Sequence, residues 1–379
     1  KVYKKLCECY SNSTLFIENN NGRLHKNMKL IKTVDAEGAV LCHDITQIIK
    51  GVTKDAVFRK GHIVTKEDIP VLLSVGKDQL YVWEKEEGML HENDGAEILC
   101  AMCKGEHMER SQAKEGKIEL SAACDGLLKI NNNGLKAVNG FGQMMIATRH
   151  GNFAVKKGDK LAGTRIIPLV IEEEKMTKAK EAAMAATGNK PILNLLPFKH
   201  KKVGIVTTGN EVFYGRIKDT FTPVIEGKMA EFDTEIIDHV TWNDDDTKVT
   251  ASILDMIHNG ADIVVCTGGM SVDPDDKTPL AIKNTGADIV SYGAPVLPGA
   301  MFMLAYYQVT EGDDPRTVAI MGLPGCVMYA KRTIFDLALP RLLADDFITA
   351  EELALLGEGG LCLNCPVCTY PNCGFGKGW

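Results

Sequence analysis

The sequence predicts an α/β chain. Its second half reads as a three-layer α/β/α domain with a mostly parallel sheet, and an α+β/β-rich N-terminal region precedes it. Three observations carry this. Apolar, β-branched runs at 203–206, 263–266 and 317–321 alternate with segments of helical periodicity, the pattern of strands buried between helix layers. Each of these runs opens into a loop bearing Gly or Pro. With 379 residues, 45% hydrophobic and 25% charged, the chain has material for more than one core.

Composition bounds the partners. A net charge of -7 gives no broad basic surface for nucleic acid or anionic membrane. No run approaches the ~18 apolar residues of a membrane span. Residues 1–27 begin with a basic stretch but lack the apolar core of an export signal, being broken by Cys7, Glu8, Cys9 and the Asn19 to Asn21 run. They read as an N-terminal extension, and a cytoplasmic location is expected. Twelve cysteines in a long chain without an export signal point away from a disulfide framework.

From 28 to 171 the pattern is a small α+β unit followed by a β-rich one. The periodicity predicts an amphipathic helix over 66–75, with Ile69, Leu72, Leu73 and Val75 inward, and a strand at 80–83. Short β candidates follow at 118–120, 126–130, 144–147 and 165–171, and 155–163 reads as a hairpin turn. Arg59, Lys60 and His62 are charged candidates, read first as a solvated loop. Cys100 and Cys103 form a C-x2-C pair without a matching partner pair and read as chance spacing. Cys124 is isolated, whereas Cys42 and Cys266 sit in apolar runs and read as small core residues.

A helix at 172–188, charged at its start and Ala-rich beyond, ends at Gly188 and begins a connector that runs to 200. From 201 to 344 strands and helices alternate, with helices expected at 219–232, 244–259, 278–285 and 328–343 and a further strand at 235–240. In such a sheet, ligands bind beyond the carboxyl ends of the strands. The loops at 207–211, 267–276 and 322–326 all follow strands, so they converge on one rim. Gly268 and Gly269 allow a backbone to approach an anion closely, and Asp273, Asp275 and Asp276 beside them are hard oxygen donors suited to a divalent cation. The same acids also suit the N-terminus of the helix expected from Thr278.

Residues 345–379 read as a short helix, a Gly-rich hinge at 357–360 and a cysteine tail. There, Cys362, Cys365, Cys368 and Cys373 have the pattern C-x2-C-x2-C-x4-C. Two-residue spacers turn a chain back on itself, so the four thiolates are expected to hold either an iron-sulfur cluster or Zn2+.

The motifs Thr-Thr-Gly-Asn-Glu (207–211), Thr-Gly-Gly-Met-Ser-Val (267–272), Asp-Lys-Thr-Pro (276–279), Pro298-Gly299 and Gly-Leu-Pro-Gly (322–325) together resemble the molybdopterin-binding domain of molybdenum-cofactor biosynthesis proteins. The linked N-terminal region makes the molybdopterin molybdenumtransferase group the better match. The resemblance implies insertion of molybdate into adenylylated molybdopterin with release of AMP, aided by Mg2+. It implies catalytic roles for Asp276 and Glu211, magnesium ligation by Glu211, Asp273, Asp275 and Asp276, and a homodimer. It also implies a cofactor-binding surface of Thr208, Gly209, Thr267, Gly268, Gly269, Ser271, Pro298, Gly299, Pro324 and Gly325. Asn210 and Cys326 depart from the family pattern, and no C-terminal β module follows 344. Two alternatives therefore stand beside the transferase: a non-catalytic molybdopterin carrier or chaperone serving a client molybdoenzyme, and an adenylyltransferase-like activity.

Overall fold

The structure is a computed structural model that describes residues 28–49, 53–83, 87–271, 273, 276–310 and 315–378. The extension expected at 1–27 and the candidate Asp275 lie outside the described residues.

The first unit is a three-stranded antiparallel sheet of Met28–Lys32, Gln79–Trp83 and Val40–Leu41, with the helix Asp68–Ser74 against it. Leu41, Ile45, Leu72, Leu80 and Val82 form its core. Leu72 is buried as expected, but Leu73 is 38% exposed, because successive helical residues are turned about 100° apart and cannot both face one small core. The charged loop before this helix is tied down rather than free. His62 Nε2 lies 2.7 Å from Asp68 Oδ2, and Lys60 Nζ lies 3.3 Å from the carboxylate of buried Glu92 in the next unit.

In that next unit, Met144–Thr148, Lys160–Ile166, Lys117–Ala122 and Met108–Arg110 make one sheet, while Phe153–Val155, Gly126–Ile130 and Leu193–Pro197 make another. The segment 155–163 is therefore not a hairpin. Its flanking strands belong to different sheets, and the turn, closed by Asp159 N–H donating to the Lys156 carbonyl, carries the chain between them. Two helices, Glu92–Cys103 and Asn132–Asn139, occupy stretches for which no element was expected. Cys100 and Cys103 share the buried face of the first, where burial pushes both thiols up. The helix Glu173–Thr187 ends at Gly188 in the left-handed region, φ 64°. It is more than a connector, since Met176, Ala179 and Ala183 complete this unit's core.

The third unit is a six-stranded mixed sheet in the order Thr234–Trp242, Lys201–Thr208, Ile263–Thr267, Arg316–Leu323, Met303–Val309, Asp288–Tyr292. The first four strands are parallel, Met303–Val309 runs antiparallel to them, and Asp288–Tyr292 at the edge pairs antiparallel with Met303–Val309. Side chains alternate between faces, as the pleat requires. Val203, Ile205, Val265, Met321 and Leu323 meet the helices Thr222–Met229 and Ile334–Leu343 on one side. Val206, Val264, Cys266 and Ile320 meet Asp246–His258 and Thr278–Asn284 on the other. The α/β/α layering is as expected. The expected helix at 328–343 divides into a 3-10 turn, Gly325–Met328, and a helix beginning at Ile334, because Thr333 and Asp336 form a capping box there.

Residues 345–378 are built into the same core. Ile348, Leu353 and Phe375 are buried in the cluster beneath the sheet. The glycine run does not act as a hinge. A Cβ on Gly360 would lie 2.2 Å from the Pro295 carbonyl oxygen and 2.5 Å from that of Leu356, so glycine is there for close backbone packing.

A buried ion pair joins the two helices of one face. Lys228 Nζ lies 2.6 Å from Asp336 Oδ1, with the two side chains 10% and 3% exposed, and Asp336 also accepts from Arg332 and from the Thr333 amide. Asp336→Ala would strand the ammonium in a low-dielectric site and is expected to cost about 3–5 kcal/mol. Urea unfolding of the variant checks this, and a midpoint equal to that of the parent would refute it.

Candidate functional site

Parallel strands deliver Thr208, Thr267 and Leu323 to one rim, in register: Thr207 is paired with Thr267, and Thr267 with Leu323. Beneath the rim lies a layer of buried hydroxyls. Thr208 Oγ1 donates to the Thr267 carbonyl at 3.3 Å and lies 3.0 Å from Thr278 Oγ1. Thr207 Oγ1 lies 3.1 Å from both Thr222 Oγ1 and His239 Nε2, and the Thr267 hydroxyl donates to it at 3.3 Å. Asp219 closes this network by accepting from the Thr222 hydroxyl at 2.5 Å and from the amides of Phe221 and Thr222. Burial alone would raise the Asp219 carboxyl, but these hydrogen bonds and nearby His239 outweigh it and hold the group below its ordinary 3.8.

Gly268 and Gly269 sit above this layer at φ 81° and 54°. A Cβ on Gly268 would fall 2.0 Å from the Thr208 carbonyl oxygen, and one on Gly269 would fall 2.8 Å from Thr278 Oγ1. The turn therefore brings two strand ends into backbone contact. Beyond it, Met270 tucks its side chain under the third strand end, where a Cβ on Gly322 would meet its Sδ at 2.6 Å. Tyr292 Oη donates to the Met270 carbonyl at 3.3 Å, and burial and then the Asp276 charge push its phenol up.

The predicted rim residues separate into groups. Asp276 Oδ2 accepts the Ser271 amide at 2.8 Å, and Asp273 Oδ2 accepts the Ser271 hydroxyl at 3.1 Å. The amide of Ser271, a residue of the expected cofactor-binding surface, is thus engaged by the protein's own carboxylate. Glu211 is exposed at the start of the short helix Asn210–Phe213, with Oε2 folded back over Gly209. Pro298 and Gly299 clasp a helix: the Pro298 carbonyl accepts from Ile334 N–H at 3.2 Å, and Gly299 packs on the Ile334 side chain. Pro324 leads into the 3-10 turn holding Cys326, whose thiol is raised by burial, and Gly325 has open space around it.

Among the described residues no three His, Cys, Asp or Glu side chains form a group that could hold a metal ion. Magnesium is commonly bound by one or two carboxylates together with substrate phosphates, and Asp276, through its other oxygen, and exposed Glu211 are donors of that kind. Asp219, Thr222, His239 and Tyr292 were not singled out from the sequence, and Thr278 was named only within its motif and as a helix start. Asp219-x-x-Thr222 followed by Pro223 is a helix-start signal that could have flagged the first two. Tyr292 lies on an edge strand that was not expected.

A mixed α/β sheet with ligand-type loops at the carboxyl ends of its parallel strands defines an α/β domain of the rim-binding class. Residues 204–344 match the family described as "Probable molybdopterin binding domain", a domain of the molybdenum-cofactor biosynthesis type. Residues 30–84 match a second family, described as "Domain of unknown function (DUF8806)". A CinA-like protein of Mycobacterium tuberculosis is 32% identical over 77 residues, 20% of this chain and 18% of that protein. One of Syntrophus aciditrophicus is 39% identical over 81 residues, 21% of this chain and 19% of that protein. The chain thus spans under a fifth of the length of these relatives. Among solved structures, the tungsten cofactor synthesizing protein MoaB from Pyrococcus furiosus aligns over 39% of this chain and 89% of its own, at 21% identity and a TM-score of 0.29. No helix among the described residues is long and apolar enough to cross a membrane.

Two measurements test the rim. Gly268→Ala forces a side chain into the left-handed region, at about 1–3 kcal/mol before the clash with Thr208 is counted. Gly325→Ala, which meets nothing within 4 Å, serves as the near-neutral control. Denaturant melts should rank them so, and equal midpoints would reject the assignment. The Asp219 carboxyl is lowered in the folded state, so its contribution is present above 3.8 and is lost as pH falls through the folded value. Asp219→Asn should flatten the loss of melting temperature below that pH, and an unchanged acid limb would exclude this role.

Proposed function

We propose that the rim binds the phosphate-bearing end of molybdopterin and that the protein acts as a molybdopterin molybdenumtransferase, inserting molybdate into adenylylated molybdopterin with release of AMP. One observation carries this: the 268–276 loop, pinned on Thr208, sets backbone and carboxylate groups together at the end of a buried strand. The match of residues 204–344 to a molybdopterin-binding family supports the ligand class.

In this reading the chain works by orientation and electrostatics. Gly268 and Gly269 let the ligand's phosphate approach the backbone, Thr208 and Thr267 hold that backbone still, and Ser271 offers amide and hydroxyl once Asp276 and Asp273 yield them. Asp276 and Glu211 are the side chains that would hold magnesium, which when bound would neutralise phosphate charge. No nucleophilic side chain is required.

A carrier or chaperone is the second reading. It is favoured by Asn210, which offers no charge to a cation, and by the prior engagement of the Ser271 amide. Purified protein incubated with adenylylated molybdopterin, magnesium and molybdate separates the two. The transferase releases AMP, and Asp276→Ala should slow release by roughly 100-fold or more, the usual scale for an electrostatic catalytic group. Tight molybdopterin binding without AMP release from the parent would favour the carrier and sink the transferase.

A further inference from the structure

The second site lies at the C-terminal cysteines. Cys362, Cys365, Cys368 and Cys373 line a single cavity of about 460 Å³, walled by Leu361, Leu363 and Phe375 and by Lys331. The segment carrying them is anchored on several sides. Leu361 bridges to Leu297, with Cys362 N–H donating to the Leu297 carbonyl at 2.8 Å and Leu297 N–H to that of Gly360 at 2.8 Å. Lys331 Nζ donates to the Pro366 carbonyl at 2.9 Å, between two of the cysteines. Tyr370 packs among Phe153, Phe375 and the Arg332 guanidinium and donates to the Asp336 carbonyl at 3.1 Å. Phe375, just past the last cysteine, is 4% exposed.

We propose that this cavity holds a polynuclear iron-sulfur cluster, ligated by the four thiolates of Cys362, Cys365, Cys368 and Cys373. Three donors at three-residue intervals with a fourth further along is a cluster-binding spacing. As the side chains stand, no three converge on a point that could hold one ion. A cluster is a larger body than a single ion, and the cavity has room for it. Cys362 and Cys373 are half-buried against the core, while Cys365 and Cys368 are exposed on the connecting loop. Assembly therefore draws the loop inward while the anchored ends stay in place. Each thiol gives up its proton to solvent on ligation, and Lys331 offsets part of the negative charge that results. The apolar wall limits water at the sulfide face. Pro298 lines the cavity as well as belonging to the expected cofactor surface, but the four thiols do not, so iron loading and AMP release are read separately.

The full chain, purified without oxygen and treated with ferric iron, sulfide and a thiol that reduces part of that iron, is expected to turn brown. It should hold iron and sulfide in equal amounts, about two or about four of each per chain. Cys365→Ala and Cys368→Ala, both at exposed positions and so not expected to unfold the protein, should each lose at least half of the iron. Cys124→Ala, outside the cavity, should retain it. Protease cleavage between 363 and 369 should slow on loading. The proposal is overturned by a colourless protein holding one zinc per chain, by a protein that takes up neither metal, or by full iron loading in both exposed-cysteine variants.

Discussion

The rim depends on one steric constraint: the turn at Gly268 and Gly269 lies so close to Thr208 that no side chain fits between them. Two adjacent parallel strands therefore end at a fixed separation, and the buried hydroxyls of Thr207, Thr208, Thr267 and Thr278 find one another across that gap. Met270, carried by the same turn, reaches beneath Gly322 and ties the third strand end to the first two. Three loops that are far apart in sequence thus behave as one surface. The hydrogen bonds among the threonine hydroxyls beneath it are buried, which makes the loss of any partner there costly.

Much of this was legible in the sequence because it follows from short-range pattern. The apolar runs around Ile205 and Val206, around Val264 and around Ile320 mark strands covered on both faces, and their spacing by helices gives the parallel order. What escaped was set by tertiary pairing. The antiparallel pair of the edge strand Asp288–Tyr292 and its neighbour Met303–Val309 is recognisable only through its partners. In the second unit, Glu92–Cys103 carries Gly95 and two cysteines, weak helix formers, and is held by the burial of Ala96, Leu99 and Cys103. Gly-rich 357–360 looked pliant because composition cannot distinguish a glycine that frees the chain from one that lets two backbones touch. Among the acids of the rim, Asp273 and Asp276 were visible as residues, but their engagement with Ser271 was not, because a loop's internal hydrogen bonds depend on its path.

The C-terminal segment shows the same economy of contact. Pro298 and its neighbour Leu297 face two ways: Leu297 is bonded to the cysteine-bearing segment, and the Pro298 carbonyl to the first turn of Ile334–Leu343. The segment that follows the α/β domain in sequence is thereby part of its wall, and its aromatic residues share a core with Phe153 of the second unit.

The contact between Asp276 and Ser271 has a thermodynamic consequence. A single amide accepts either the internal carboxylate or an external anion as its partner, so an arriving anion at that amide must displace Asp276. The displaced carboxylate then has both oxygens open to a cation. Were an anion and a cation both to bind at this loop, their affinities would therefore be linked with positive sign, each raising the other by the same factor. The loop satisfies its own polar groups, and neither ligand alone replaces that internal bond as well as the pair does.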